Sequence, residues 1–263
     1  MKWEHKCKLE WLKARSNFLT ATDVKSLIPF TKTGKKRTVT DVDRMRVLAG
    51  KCVTLTEDDC WSYGAAARGH LLEPYAISLL DSAMGWADDE KLHHWDDMII
   101  AKNIGTHCLA FSPDAMDLLP ESSVLVKGAT VQYISAGLPI VHKIGEVKSY
   151  AAEKHFVCGC TDKMELEERW QIATAMAVLP SIETAYLVFY NPSVPGFEMF
   201  VHEYTRNDLE DEIAIVLEVE KEWKNFLENT KAGMLKAACF YGGPDELAIH
   251  DMIGERQALE PGM

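Results

Sequence analysis

Along roughly the first ninety positions, apolar residues recur at helical spacing. Residues 3–16 read as a polar helix with Trp3, Leu9, Trp11 and Leu12 available for packing. Thr20-Ala21-Thr22-Asp23 carries a turn-and-cap signature, with Val24, Leu27 and Ile28 as the apolar stripe behind it. Residues 30–40 show no period and read as a basic loop around Gly34, with Lys32, Lys35, Lys36 and Arg37. Two more helices are predicted over 41–49 and 58–83. The longer one places Trp61, Ala65, Leu72, Ala76, Leu79 and Leu80 on its apolar side. Pro74 falls inside that pattern and predicts two helices or a kinked one.

From Trp95 the period shortens. Segments 98–101, 108–111, 124–127, 131–134 and 140–148 read as short strands separated by Gly, Pro and Asn. A helix over 164–178 stops before Pro180, and strands over 185–190 and 198–204 flank the turn Asn191-Pro192-Ser193-Val194-Pro195-Gly196. Asn207 or Asp208 then caps a long amphipathic helix, with Leu209, Ile213, Val216, Leu217, Trp223, Phe226 and Leu227 inward, to about Lys231. The order predicts a single α/β domain over 1–240, helix–sheet–helix, followed by a loosely held acidic Gly/Pro-rich tail over 241–263. There is no internal repeat and no linker.

Composition adds bounds. The 263 residues, 47% apolar and 26% charged, suit an ordinary globular protein with a large core. No apolar run is long enough to span a bilayer, and Met1-Lys2-Trp3-Glu4-His5-Lys6 lacks the apolar core of a signal peptide. A cytoplasmic protein without membrane association is expected, its seven cysteines reduced. The net charge of −12 is unevenly spread. Residues 1–51 hold 13 Lys/Arg against 5 Asp/Glu, while the rest holds 15 against 35. A basic segment on an acidic chain is either a solvated patch or the footprint of a polyanion.

The chemistry concentrates in Glu73, Ser112-Pro113-Asp114, Glu146-Val147-Lys148 and Gln171. Hard divalent cations take oxygen ligands, and magnesium uses one or two carboxylates while keeping several waters. On an extended chain residues 146 and 148 share a face, so one can hold a metal while a neighbouring cation meets the attacking water. Each residue has a plain alternative: Ser-Pro-Asp is a common turn, Gln171 could face solvent, and Glu73 could be a surface glutamate. Glu146 and Lys148 lie among Ile140, Val141, Ile144 and Val147, and a buried ion pair needs a reason to be there. The joint order of helix Glu, strand Asp, strand Glu-x-Lys and helix Gln points to a nuclease.

At these residues the chain resembles lambda exonuclease and the YqaJ-type viral recombinase nucleases of the PD-(D/E)xK superfamily. The resemblance runs from Trp11 to about Pro192. It takes in Trp11-Leu12-Lys13-Ala14-Arg15, Leu19-Thr20-Ala21-Thr22, Gly34-Lys35-Lys36 and Gly69-His70-Leu71-Leu72-Glu73. It continues through Ser112-Pro113-Asp114, Gly145-Glu146-Val147-Lys148, Trp170-Gln171 and Tyr190-Asn191-Pro192. It implies a restriction-endonuclease-like central mixed sheet flanked by helices. Asp114, Glu146 and the Val147 carbonyl would be metal ligands, and Glu73 would support the site or a second metal. Lys148 would orient or activate the water, and Gln171 would position Lys148 and the nucleophile. Arg15 with Thr22 would take the 5′-phosphate of the digested strand, and Lys35, Lys36 and Arg37 would contact DNA.

The resemblance further implies Mg2+, with Mn2+ able to substitute, and 5′→3′ digestion of linear double-stranded DNA ends. The products would be 5′-phosphomononucleotides and 3′ single-stranded tails for phage-type recombination. Expected partners are two further copies in a homotrimeric ring and a single-strand annealing protein. Two departures stand out: 31 residues separate Asp114 from Glu146, read as an inserted hairpin at about 120–139, and Ala115 replaces the glycine usual after Ser-Pro-Asp. Competing readings are weaker. An iron–sulfur nuclease would need grouped cysteines near the C-terminus, where only Cys239 lies, and a zinc module from His155, Cys158 and Cys160 lacks a fourth ligand. A non-catalytic or structure-specific DNA-binding protein or endonuclease of the same fold is the main alternative.

Overall fold

Strand β8 (Thr184–Tyr190) shows how this sequence builds its core. Side chains alternate across a strand. Ala185, Leu187 and Phe189 join one apolar cluster, and Tyr186, Val188 and Tyr190 join another. Both faces are covered, so the strand reads as an unbroken apolar run. The structure is a computed structural model. It describes residues 9–31, 34–53, 55, 64–95, 98–102, 107–117, 131–133, 140–160 and 166–241.

In chain order come α1 (Leu9–Ser16), β1 (Leu19–Thr20), α2 (Ala21–Leu27), α3 (Asp41–Cys52) and α4 (Gly64–Met84). Five short strands follow: β2 (His93–His94), β3 (Ile99–Ala101), β4 (Leu109–Phe111), β5 (Ala115–Met116) and β6 (Val131–Tyr133). Then come β7 (Lys143–Lys148), α5 (Ala152–Cys160), α6 (Leu166–Val178), β8, β9 (Met199–Thr205), a 3-10 turn (Arg206–Leu209) and α7 (Glu210–Tyr241). One sheet has the order β1-β4-β3-β6 and the other β2-β5-β7-β8-β9. β7 and β8 are parallel, and the chain between them passes through α5 and α6, as a parallel pair requires. β8 and β9 pair antiparallel along their full length. This is the α/β class that the pattern predicts, with the mixed strands and flanking helices that the resemblance implies, the strands falling into two sheets.

Helix α4 supplies Leu72, Ala76, Ile77 and Leu80 to one side of β7 and β8, against Val147 and Val188. On the other side α6 brings Ile172, Ala173 and Met176 to Ile144, Leu187 and Phe189, with Val216 and Trp223 of α7 in the same cluster. Burying each Leu, Ile, Val, Met or Phe side chain of this set stabilises the fold by about 1.5–3 kcal/mol. Glu220 of α7, buried, accepts from Lys102 Nζ at 3.0 Å and Lys224 Nζ at 2.9 Å and ties the helix to β3 and β4.

Several boundaries differ from the pattern's expectation. α4 runs unbroken through Pro74, which is exposed, so the carbonyl it frees lies on the solvent side where water can satisfy it. The last cap is Thr205: its backbone N and Oγ1 both donate to Asp208 Oδ2, so Asp208 is the reciprocal partner. α7 then continues ten residues past Lys231. β7 starts at Lys143 because Asp117 caps the preceding chain, taking the His142 and Lys143 N–H groups at 3.1 Å, while Ile140 is 66% exposed. α5 is a helix the pattern does not predict. Of the proposed 120–139 hairpin, only Val131–Tyr133 is described, and it pairs in parallel with β3. The rest of that hairpin, residues 3–8 and 58–63, the strand at 124–127 and the tail after Tyr241 lie outside the described residues. No helix among the described residues is long and apolar enough to cross a membrane.

Candidate active site

Strand register brings the distant carboxylates together. β5 pairs antiparallel with β7, Ala115 opposite Gly145 and Met116 opposite Ile144. Carried one residue further, that register sets Asp114 opposite Glu146, and the 31 intervening residues do not disturb it. Asp114 Oδ2 accepts the Val147 N–H at 2.7 Å, fixing the aspartate on the neighbouring strand. Glu146 and Lys148 share the α6 side of β7 with Ile144, and Gln171 comes from α6 to meet them. Lys148 Nζ donates to Glu146 Oε1, and Gln171 Nε2 donates to the same oxygen at 2.9 Å.

These groups line a cleft of about 270 Å³ together with Glu73 and His70 of α4 and with Arg15 and Thr22. Burial, then the charges of Glu146 and Glu73, push the Asp114 carboxyl well above its usual range, against the pull of Lys148 and the Val147 N–H. Burial works to lower Lys148, but Glu146 and Asp114 outweigh it and its pKa is raised, so the side chain stays a cation. Burial works to raise Glu73, yet His70 (Nδ1 at 3.1 Å) and His94 (Nε2 at 3.6 Å) overcome it and draw the carboxyl down to about 2.

Thr22, the partner of Arg15, lies on a capped helix. Thr20 caps α2, its N and Oγ1 donating to Asp23 Oδ2 at 2.8 and 2.6 Å, and Lys51 Nζ reaches the same oxygen at 2.7 Å. Arg15 Nη2 donates to Thr22 Oγ1 at 3.0 Å, and the guanidinium lies 4.9 Å from the centre of the Trp11 ring. Burial lowers the Arg15 pKa, with Asp23, Glu146 and Asp114 opposing. Among the described residues no carboxylate forms an ion pair with Arg15, a half-buried guanidinium, and a cation in that condition suits an anion. A second, more open cleft of about 640 Å³ shares Arg15, Thr20 and Thr22 and adds Arg46 and Lys51.

Of the residues singled out from sequence, Arg15, Thr22, Glu73, Asp114, Glu146, Val147, Lys148 and Gln171 all line the first cleft. Lys35 and Lys36 are exposed and line neither cleft. Arg37 is occupied elsewhere: it donates to the Ile28 carbonyl at 2.9 Å and to that of Ser26, closing the loop onto α2. Lys25, His70, His94 and Lys51 were not anticipated, since lone basic residues on polar helices and short strands carry no pattern. Buried Glu168, one turn before Gln171, accepts from Tyr150 Oη and its charge reaches Lys148. His155 Nε2 lies 2.8 Å from the Phe197 carbonyl, and among the described residues no third His, Cys, Asp or Glu joins it to make a zinc site.

Asp114 and Glu146 are oxygen donors in the number that magnesium takes from protein. The raised Asp114 carboxyl, with a single hydrogen bond, is the kind of group a bound cation would relieve. Among the described residues, no three His, Cys, Asp or Glu side chains converge as a metal-ligating group.

No family model matches the sequence, and no curated protein matches it. Solved structures do, and they define the class of fold as that of an exonuclease. LHK-Exo in complex with dAMP superimposes with a TM-score of 0.57 at 19% identity, over 89% of this chain and 97% of that one. A second structure of LHK-Exo, an alkaline exonuclease from Laribacter hongkongensis, gives 0.53 at 18% identity over 86% and 98%. At this identity the likeness is one of fold.

Proposed function

We propose that this protein is a magnesium-dependent exonuclease that degrades linear double-stranded DNA from 5′ ends and leaves 3′ single-stranded tails for recombination. The observation that carries the reading is the cleft itself. A register-matched Asp114 and Glu146, with Lys148 and Gln171 on the same glutamate oxygen, line one cleft together with the half-buried Arg15 and its Thr22 partner. The fold shared with an alkaline exonuclease supports it, and one of those structures holds dAMP, a deoxynucleoside monophosphate such as this reaction would release.

Arg15 and Thr22 hold the terminal 5′-phosphate as donors and fix which linkage enters the cleft. Asp114 and Glu146, with the Val147 carbonyl, hold Mg2+, for which Mn2+ substitutes, and Glu73 supports the site or a second metal. When bound, the metal supplies a water of lowered pKa and neutralises charge on the phosphoryl group. Lys148, a cation in this setting, orients the attacking water and stabilises developing charge rather than removing a proton. Gln171 steadies Glu146.

A non-catalytic DNA-binding reading draws on the absence of a converged three-residue metal group among the described residues. Duplexes labelled at either the 5′ or the 3′ terminus separate the two. With Mg2+, the 5′ label is expected in mononucleotides at the earliest times while the 3′ label stays in long strands. Early release of the 3′ label would reverse the polarity, and no release of either would favour the binding reading.

A further inference from the structure

Gln171 is itself held from behind. Lys25 of α2 donates from Nζ to Gln171 Oε1 at 2.8 Å, while Gln171 Nε2 donates to Glu146 Oε1 at 2.9 Å. An amide has one accepting and one donating end, an ammonium only donates, and a carboxylate only accepts. Lys25 and Glu146 therefore admit one orientation of the Gln171 amide. Turned over, it would set its NH2 against the ammonium and its oxygen against the carboxylate, two repulsions in place of two charge-assisted bonds. The result converges on one atom: Glu146 Oε1 takes Gln171 and Lys148, and among the described residues no hydrogen bond reaches Oε2.

We propose that Lys25 is a positioning residue which, by locking the Gln171 amide, holds Glu146 with Oε2 presented to a divalent cation. This rests on the nuclease reading, which makes Glu146 a metal ligand. Lys25 lies one turn from Thr22 on α2, and the helix start is anchored independently by Thr20, Asp23 and Lys51. A change at Lys25 therefore leaves the Arg15–Thr22 pair in place, which separates metal affinity from end affinity.

The sign of the effect makes the test sharp. Removing a cation near a metal site would, by charge alone, tighten metal binding. Loss of an outer support for a ligand instead weakens it, by about 10–100-fold. Direct Mn2+ titration of the full chain, followed by the signal of free Mn2+, compares wild type with Lys25→Met, Lys25→Arg, Gln171→Ala and the Lys25→Met/Gln171→Ala pair. Affinity for a 5′-phosphorylated duplex end is measured in EDTA on the same proteins, with cooperative unfolding confirming that each is folded.

Lys25→Met is expected to weaken Mn2+ about tenfold or more with end affinity unchanged, and Lys25→Arg to recover part of the loss. Lys25→Met should add nothing on the Gln171→Ala background, because Lys25 acts through that amide. Mn2+ affinity at or above wild type in Lys25→Met overturns the proposal while leaving the nuclease reading intact, as would additive effects in the pair. A wild-type protein that binds no Mn2+ overturns both.

Discussion

Asp114 is a half-buried carboxyl with one hydrogen bond, from the Val147 N–H, and two acidic neighbours. Its folded-state pKa is raised above the unfolded value of about 3.9. A carboxyl shifted in that direction contributes its stability below the unfolded pKa and loses it as pH rises through the folded one. Asp114→Asn keeps an acceptor for Val147 and cannot ionise. Denaturant unfolding in EDTA should therefore find it more stable than wild type by about 1 kcal/mol near pH 8, with a smaller advantage near pH 5, while turnover is lost. An advantage that shrinks with rising pH would contradict this electrostatic account. Asp114, Glu146, Lys148 and Gln171 were legible from sequence because their order is improbable by chance. Lys25 and the two histidines flanking Glu73 were not, since their role depends on which helix or strand faces which, and a basic residue in a basic loop, such as Arg37, looks the same in sequence whether it meets phosphate or a backbone carbonyl.

Among the elements, the long separation of Asp114 from Glu146 looked like the weak point of the sequence pattern. Antiparallel register between β5 and β7 resolves it, because pairing depends on local alignment and not on the length of chain between. Two-residue strands such as β5 carry no period and are invisible to pattern reading. Helix α5 was hidden for a different reason: Cys158-Gly159-Cys160 lowers helix propensity. The glycine is there for packing, since a Cβ on Gly159 would come within 2.1 Å of the Phe200 ring on β9. Gly159→Ala should thus destabilise the protein by on the order of 2 kcal/mol despite alanine's better helix propensity, as read by urea unfolding. A neutral or stabilising result would mean that α5 and β9 do not pack this closely.

For the whole molecule, the −12 net charge conceals a basic first 51 residues. Arg15, Arg46 and Lys51 from that segment line the two clefts. These cations share the clefts with Glu73, Asp114 and Glu146 in the first and Asp23 and Asp43 in the second, so each cleft pairs positive charge that suits phosphate with carboxylates. We propose that three copies form a ring, which would keep an acidic protein on DNA. Light scattering of the pure protein is expected to give three times the 29.6 kDa chain mass, and a monomer at micromolar concentration would remove the ring.

The central claim is end-dependent hydrolysis by the cleft that joins Arg15 to Asp114, Glu146 and Lys148. It is tested most directly by offering one preparation linear 5′-phosphorylated duplex and covalently closed circular duplex, each with Mg2+ or with EDTA. The account predicts resection of the linear molecule from its 5′ ends to 3′ single-stranded tails with Mg2+, intact circles, no reaction in EDTA, and loss of activity in Lys148→Ala. Degradation of closed circles, or undiminished digestion by Lys148→Ala, would contradict it.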